Sequence, residues 1–147
     1  MCLSCYSNSL ITDKVNFDNV TNSCYSQCPD GKYKDNVTFL CQNCDVNCAT
    51  CQGSATFCTT CNQSTANKYL NVISTTSQQC VSQCQDLMYA DTTRTPPTCV
   101  NCQSPCKTCT SLTFCLTCLN SYFFWNNTCT TSCPLGVTVG DTTTGNC

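Results

Sequence analysis

Six cysteines stand within the 21 residues from Cys41 to Cys61, CQNCDVNCATCQGSATFCTTC, where they form three CxxC pairs. Cysteines paired in this way serve as zinc ligands, as redox centres or as halves of disulfides. The chain has 21 cysteines among 147 residues, well above the ~10% that marks a disulfide scaffold in a secreted chain. Its 41% hydrophobic residues include these cysteines, so few other apolar side chains remain to form a core. Cross-links or metal must therefore offset the conformational entropy of the chain.

The cysteine spacing repeats along the chain. From Cys41 it runs C-x2-C-x3-C-x2-C-x6-C-x2-C-x18-C-x3-C, and from Cys99 it runs C-x2-C-x3-C-x2-C-x5-C-x2-C-x10-C-x3-C. The residues between the cysteines also agree, since TFCTTC at 56–61 matches TFCLTC at 113–118. The repeat predicts three domains: the C-terminal part of a truncated repeat at 1–40, a complete repeat at 41–98, and a repeat at 99–147 that ends on the first cysteine of a further unit.

The first residues, MCLSCYSNSL, lack the apolar core of a signal peptide. We therefore expect that a leader has been removed or that the chain is a segment of a longer protein. Between the cysteine clusters, KYLNVIS at 68–74 and GVTVGDTTTGN at 136–146 are typical of strands and turns, and no segment keeps a helical period. The sequence predicts a small disulfide-rich fold, an elongated rod of tandem cysteine-rich modules with short β-hairpins and loops and little or no helix.

Zinc and redox chemistry are the alternatives to disulfides. Zinc sites built from two CxxC pairs usually separate the pairs by a dozen or more residues, whereas the gaps here are three to six residues, and the chain has no histidine. A redox centre needs one low-pKa thiol in a βαβ frame, which seven CxxC pairs without helices do not indicate. Disulfides are favoured, and zinc stays open as the second possibility.

Four Asn-x-Ser/Thr sequons lie in polar segments, at Asn19, Asn36, Asn62 and Asn126. An oxidising secretory route explains both the cysteines and the sequons, so we predict N-linked glycans at all four and an extracellular or cell-surface location. Among the four sequons, Asn126 is the one that neighbouring side chains could cover, because it follows a run of aromatic residues.

The order C-x2-C-x3-C, a gap, C-x5/6-C-x2-C, a gap, C-x3-C, a gap and the next C resembles the furin-like cysteine-rich repeats of growth factor receptors, such as the epidermal growth factor and insulin receptor families. The resemblance covers the whole chain and implies alternating modules with one or two bridges. It implies ten disulfides and leaves Cys2 for a partner upstream. The implied pairs are Cys5–Cys24, Cys28–Cys41, Cys44–Cys51, Cys48–Cys58, Cys61–Cys80, Cys84–Cys99, Cys102–Cys109, Cys106–Cys115, Cys118–Cys129 and Cys133–Cys147.

The composition carries a second resemblance. The chain has few charges, no Glu or His, and an abundance of Asn, Thr, Ser and Gln, which is similar to the cysteine-rich surface proteins of ciliates, including the immobilisation-antigen type. This resemblance implies a structural surface-coat or ciliary-surface protein that assembles with or spaces other surface components. The alternative is a receptor or adhesion ectodomain that binds a protein ligand.

Aromatic residues recur at matched positions in the repeats. We expect Phe57, Phe114, Tyr33 and Tyr89 to pack on disulfides as the small core of each module. Four consecutive aromatics, Tyr122, Phe123, Phe124 and Trp125, cannot all face one side of a strand. They are the best candidate for contact with a neighbouring chain or module, with packing inside the module as the alternative.

Catalysis is not predicted. Without His or Glu, acid–base chemistry would fall to eight Asp residues that show no paired arrangement and are typical of turns. No cofactor, metal or nucleic-acid partner is predicted, because no calcium loop and no basic surface is present in the sequence.

Non-reducing peptide mapping distinguishes the three uses of the cysteines. We expect Cys61 to be recovered with Cys80 and Cys84 with Cys99, and the intact mass to fall by about two hydrogens for each cysteine pair on oxidation. Bridges within CxxC pairs, or a mass that includes bound metal, would contradict the disulfide scheme.

Overall fold

The structure, a computed structural model, describes residues 16–137, 140–141 and 143–147. Every strand in this part of the chain is three to six residues long. No helix in this part of the chain is long and apolar enough to cross a membrane. The strands are β1 (Asn16–Asp18), β2 (Ser23–Tyr25), β3 (Lys32–Lys34), β4 (Cys41–Asn43), β5 (Cys48–Cys51), β6 (Cys58–Cys61), β7 (Tyr69–Ser74), β8 (Ser77–Val81), β9 (Met88–Asp91), β10 (Thr98–Asn101), β11 (Cys106–Cys109), β12 (Cys115–Cys118), β13 (Phe123–Trp125) and β14 (Thr128–Thr130).

Each odd-numbered strand pairs antiparallel with the strand that follows it, so the chain folds into hairpins that are local in sequence. In β3–β4, Lys34 lies opposite Cys41, and in β13–β14, Trp125 lies opposite Thr128. The strands stay short because a turn or loop follows within a few residues of each strand start. The prediction of a small disulfide-rich fold of tandem modules with short β-hairpins and little or no helix is confirmed.

The chain divides into two compact units, of which the first ends at Ser82 and the second runs from Gln83 to Cys147. Hairpins β3–β4, β5–β6 and β7–β8 of the first unit correspond in order to β9–β10, β11–β12 and β13–β14 of the second. The correspondence extends to detail, because β5–β6 and β11–β12 both shift register at a central threonine, Thr50 or Thr108. The units describe which residues pack together, whereas the repeat boundaries at 40 and 98 describe the cysteine pattern and stay a prediction.

Disulfide sulfur makes up most of each buried cluster. In the first unit, Leu70 on β7 joins five buried cysteines, and Tyr33 packs against them. In the second, Phe124 on β13 and Tyr89 on β9 pack against three buried cysteines. Leu70 and Phe124 occupy equivalent positions, since each lies opposite a cysteine of the next strand. One or two apolar side chains on a disulfide cluster therefore replace a conventional core.

The predicted packing of Tyr33 and Tyr89 on the disulfide clusters is confirmed. For Phe114 the prediction is wrong, because its side chain is 42% exposed. Phe114 closes a tight turn, with its backbone N–H donating to the carbonyl of Ser111 and its carbonyl accepting from Thr110. The turn aims the side chain outward, while the neighbouring Cys115 points inward and is buried.

Replacement of Leu70 tests the importance of this small core. Leu70 is 6% exposed, so we expect Leu70→Ala to lower the free energy of unfolding by about 2 to 4 kcal/mol through lost burial and a cavity. Ile73 on the same strand is 57% exposed and provides the control, for which Ile73→Ala should change stability by less than about 0.5 kcal/mol. Denaturant unfolding with the disulfides intact, followed by circular dichroism, measures both. Equal losses in the two variants would contradict the assignment of Leu70 to the core.

Candidate functional site

The disulfide framework is the dominant chemical feature of the described residues. The Cα atoms of the bonded cysteines lie 5.1 to 5.8 Å apart, within the usual range for a disulfide. The structure brings together nine of the pairs that the resemblance implies: Cys28–Cys41, Cys44–Cys51, Cys48–Cys58, Cys61–Cys80, Cys84–Cys99, Cys102–Cys109, Cys106–Cys115, Cys118–Cys129 and Cys133–Cys147.

The remaining two predictions about cysteines concern the start of the chain. Cys24 is disulfide-bonded. Its predicted partner Cys5, and Cys2, for which an upstream partner is predicted, lie outside the described residues. The Cys5–Cys24 pairing therefore stays a prediction.

The two cysteines of each described CxxC strand belong to different bridges. In β6, Cys58 bonds back to Cys48 of its own hairpin, and Cys61 bonds forward to Cys80 on β8. The cysteine that faces each of them across the hairpin is not its disulfide partner, since Cys61 lies opposite Cys48. In β12, Cys115 and Cys118 divide their bonds in the same way. A CxxC strand is thus the junction through which one hairpin is fixed to the next.

One group of sulfurs has the compactness of a metal site. The Sγ atoms of Cys106, Cys115 and Cys129 lie within 4.8 Å of one another. Cys106 is bonded to Cys115, and Cys129 is bonded to Cys118. Zinc binds thiolates, so in this oxidised state the group offers no ligand to a metal. Its compactness follows from the packing of two disulfides around Phe124.

Several of the described carboxylates serve turns. Asp35, Asp91 and Asp141 each precede, by six to eight residues, the cysteine that begins the next repeat, and each accepts a hydrogen bond from the backbone N–H two residues further on, at 2.8, 3.1 and 2.8 Å. These hydrogen bonds contribute to lowering the pKa of each carboxyl below its usual value, with the Thr93 hydroxyl as the largest cause at Asp91. The predicted role of these Asp residues in turns is confirmed.

Asp18 is the most buried carboxylate in the part of the chain that the structure describes, and it forms an ion pair that the sequence did not predict. Its side chain lies 2.5 Å from Lys32 Nζ and also accepts the Val20 backbone N–H at 2.9 Å. The hydrogen bond from Lys32, followed by the one from Val20, lowers the pKa of Asp18. Asp18 ends β1 and Lys32 begins β3, so the pair fixes the first hairpin to the second. Charged residues 14 positions apart carry no periodic signal that could have identified this contact.

The four predicted glycosylation sites differ in accessibility. Asn19 and Asn36 are exposed in the β1–β2 and β3–β4 loops. Asn126, expected to be the one at risk of being covered, is exposed in the β13–β14 turn. Asn62 is instead half-buried, and its Nδ2 donates to the Val46 carbonyl at 3.2 Å while its Oδ1 accepts the Ser64 N–H at 3.0 Å.

The four consecutive aromatics do not form one surface. Phe124 packs on the disulfide cluster of its unit. Phe123 lies over Gly140 so closely that a Cβ at that position would overlap the ring. Tyr122 is half-buried beside a cleft of about 360 Å³, and Trp125 is 38% exposed. Alternation along β13 and the contact of Phe123 with Gly140 therefore separate the side chains that the sequence grouped together.

Comparison with known proteins identifies relatives that are much longer than this chain, which aligns with only a part of each. The chain is 34% identical over 116 residues to furin-like protease 2 of Drosophila melanogaster, in an alignment that covers 77% of this chain and 6% of the relative. It is 33% identical over 142 residues to cysteine repeat modular protein 2 of Tetrahymena thermophila, with 83% and 7% covered. Proprotein convertase subtilisin/kexin type 6 of Rattus norvegicus is 30% identical over 109 residues, with 74% and 10% covered.

No protein-family model matches the chain. The chain spans at most about a tenth of the length of these curated relatives. The predicted resemblance to furin-like repeats and to ciliate cysteine-rich proteins is confirmed. The chain is a disulfide-rich cysteine-repeat segment similar to segments of these proteins.

A pH titration tests the role of the Asp18–Lys32 pair. Because the pKa of Asp18 is lowered in the folded state, its contribution to stability is complete above the unfolded carboxyl pKa of about 4 and is lost as the pH falls through the lower folded pKa. We expect Asp18→Asn to be less stable than the parent chain at neutral pH and this difference to shrink below about pH 4. Denaturant midpoints measured across the pH range check this.

The matched control is Asp86→Asn, because the Asp86 side chain is 71% exposed and lies 3.9 Å from Lys107. Exposed pairs of this kind contribute little. A stability difference for Asp18→Asn that stays constant from neutral to acidic pH would contradict the ion-pair role.

Proposed function

We propose that this chain is a segment of a non-enzymatic extracellular structural or surface-coat protein. In this proposal the repeated modules form a disulfide-linked, glycosylated array, with the elongated rod predicted from the repeat, that assembles with or spaces other surface components. The observation that carries the proposal is the recurrence of the same three hairpins, with equivalent disulfides, in both units.

Local bridging suits a protein that must persist outside the cell. The described disulfides join residues 7 to 19 positions apart, so the bridges of a module connect cysteines that are near one another in the sequence. Further modules can therefore be added without a shared core. A structure held by covalent bonds keeps its form when denaturing or proteolytic conditions would open a small apolar core.

The proposal includes the absence of catalysis. The chain contains no His and no Glu, and five of its eight Asp side chains accept backbone hydrogen bonds in turns. The word protease in the name of one relative describes a protein of which the alignment covers 6%, so that activity is not transferred to this chain. A receptor or adhesion ectodomain is the competing function and becomes an outcome of the test.

Surface labelling of the cells that produce the protein tests the proposal. Antibodies raised against the oxidised chain should label unpermeabilised cells densely and evenly, and the labelled material should resist detergent extraction until disulfides are reduced, because a coat is a continuous assembly. Antibodies against the reduced, alkylated chain provide the control, since they should not recognise the native surface. Label only inside permeabilised cells would contradict the extracellular location. Sparse label that detergent releases without reductant would favour a receptor.

A further inference from the structure

We propose that Asn126 carries an N-linked glycan whose first N-acetylglucosamine covers the indole of Trp125. This inference rests on the proposed function, because the chain must pass through a secretory route to receive the sugar. It gives one of the four sequons a specific role and names the group that covers Trp125, the exposed aromatic residue of β13.

The turn geometry presents Asn126 for modification. Trp125 and Thr128 are cross-strand partners, so the loop between them has only two residues, Asn126 and Asn127. Both have positive φ values, 45° and 59°, as a type I′ hairpin turn requires. Asparagine tolerates this conformation better than most residues. Asn126 is exposed at the tip of the turn, and Asn126-Asn127-Thr128 is the sequon.

The hairpin register places Trp125 beside the acceptor. Residues directly opposite each other in an antiparallel pair have side chains on the same face, so Trp125 and Thr128 share the face away from Phe124. Phe124 packs on the disulfide cluster, which leaves the Trp125 face outward and the indole 38% exposed. The Thr128 hydroxyl donates to the Trp125 carbonyl at 2.7 Å and fixes the two ends of the turn together.

Further apolar surface adjoins the turn. The Cys115 N–H donates to the Asn127 carbonyl at 2.8 Å, so the turn is held against the start of β12. The residues on either side of Cys115 are exposed, Phe114 by 42% and Leu116 by 49%. A pyranose ring has an apolar C–H face that packs against an aromatic face, while its hydroxyls stay in water. A sugar on Asn126 therefore has the chemistry to cover this surface and remain solvated.

The first unit provides a natural comparison. There, Asn71 occupies the position of Trp125 and is 3% exposed, and the half-buried Thr59 occupies the position of Leu116. The β7–β8 turn of that unit contains no sequon. The β7–β8 hairpin also exposes apolar side chains, Val72 by 42% and Ile73 by 57%, but it has longer strands than β13–β14 and no sequon lies within it. The argument for the glycan as the occupant is therefore local: the exposed indole directly precedes the exposed Asn126 and shares a face with Thr128, the hydroxyl residue of the same sequon.

The sole tryptophan makes the proposal measurable, because Trp125 is the only source of indole fluorescence in the chain. The chain is produced in a secretory host that makes high-mannose glycans. Occupancy of each sequon is read from the masses of peptides whose N-glycans have been removed enzymatically in ¹⁸O water. Acrylamide quenching is then compared for the glycosylated protein, for the folded protein trimmed to one N-acetylglucosamine by endoglycosidase H, for Asn126→Gln and for the control Asn36→Gln.

We expect Asn126→Gln to raise the quenching constant by about twofold, because the indole loses its cover. Trimming to a single sugar and Asn36→Gln should leave the constant unchanged. In the trimmed parent protein the N-acetylglucosamine protons should also be shifted upfield by the indole ring current, a readout that needs no variant and so does not depend on the folding of Asn126→Gln.

The outcomes separate this inference from the proposed function. Glycans at Asn19 and Asn36 with an unoccupied Asn126 would overturn the inference and leave the secretory route intact. No glycan at any sequon in this host would count against the secretory route itself. Occupancy of Asn126 without a change in quenching or a ring-current shift would overturn the covering role, as would quenching of Asn126→Gln that falls with protein concentration, since a second copy would then be the occupant.

Discussion

The rest of the structure depends on disulfides that connect consecutive hairpins. Each described bridge closes a short loop and contributes on the order of 2 to 4 kcal/mol, chiefly by restricting the unfolded chain. Leu70 and Phe124 are the main apolar side chains that pack with the sulfurs, one in each unit. Strands of three to six residues without such links would be marginal in water, because a lone two-stranded hairpin buries too little surface. The covalent framework therefore makes these short elements possible.

This framework frees most other positions from any role in the core. Equivalent positions carry Asn71 in one unit and Trp125 in the other, although both units keep the adjacent pairing of an apolar residue with a cysteine, Leu70 with Cys80 and Phe124 with Cys129. The loops are fixed in a second way, by Asp side chains that accept backbone N–H groups. Surface character can thus differ from unit to unit, which suits a protein whose repeats share a scaffold and differ in what they expose.

The relatives support the same view of the chain. A protease of Drosophila and a cysteine repeat modular protein of Tetrahymena both contain a segment similar to this one, although the alignments cover less than a tenth of either protein. The described disulfides join residues only 7 to 19 positions apart, so a module of this kind does not need distant parts of a longer protein to close its bridges. The proposed structural role follows from this independence rather than from the function of either relative.

The sequence by itself determined the disulfide-rich class, the repeat, the lack of helix among the described residues and the turn role of several Asp residues. These features could be predicted because cysteine spacing and turn residues act between residues that are near one another in the sequence. The tertiary structure alone decided the burial of Asp18 against Lys32, the outward position of Phe114 and the separation of Phe123, Phe124 and Trp125. These outcomes depend on which face of a short strand meets the next hairpin, and a one-residue change of register reverses that face without altering the sequence pattern.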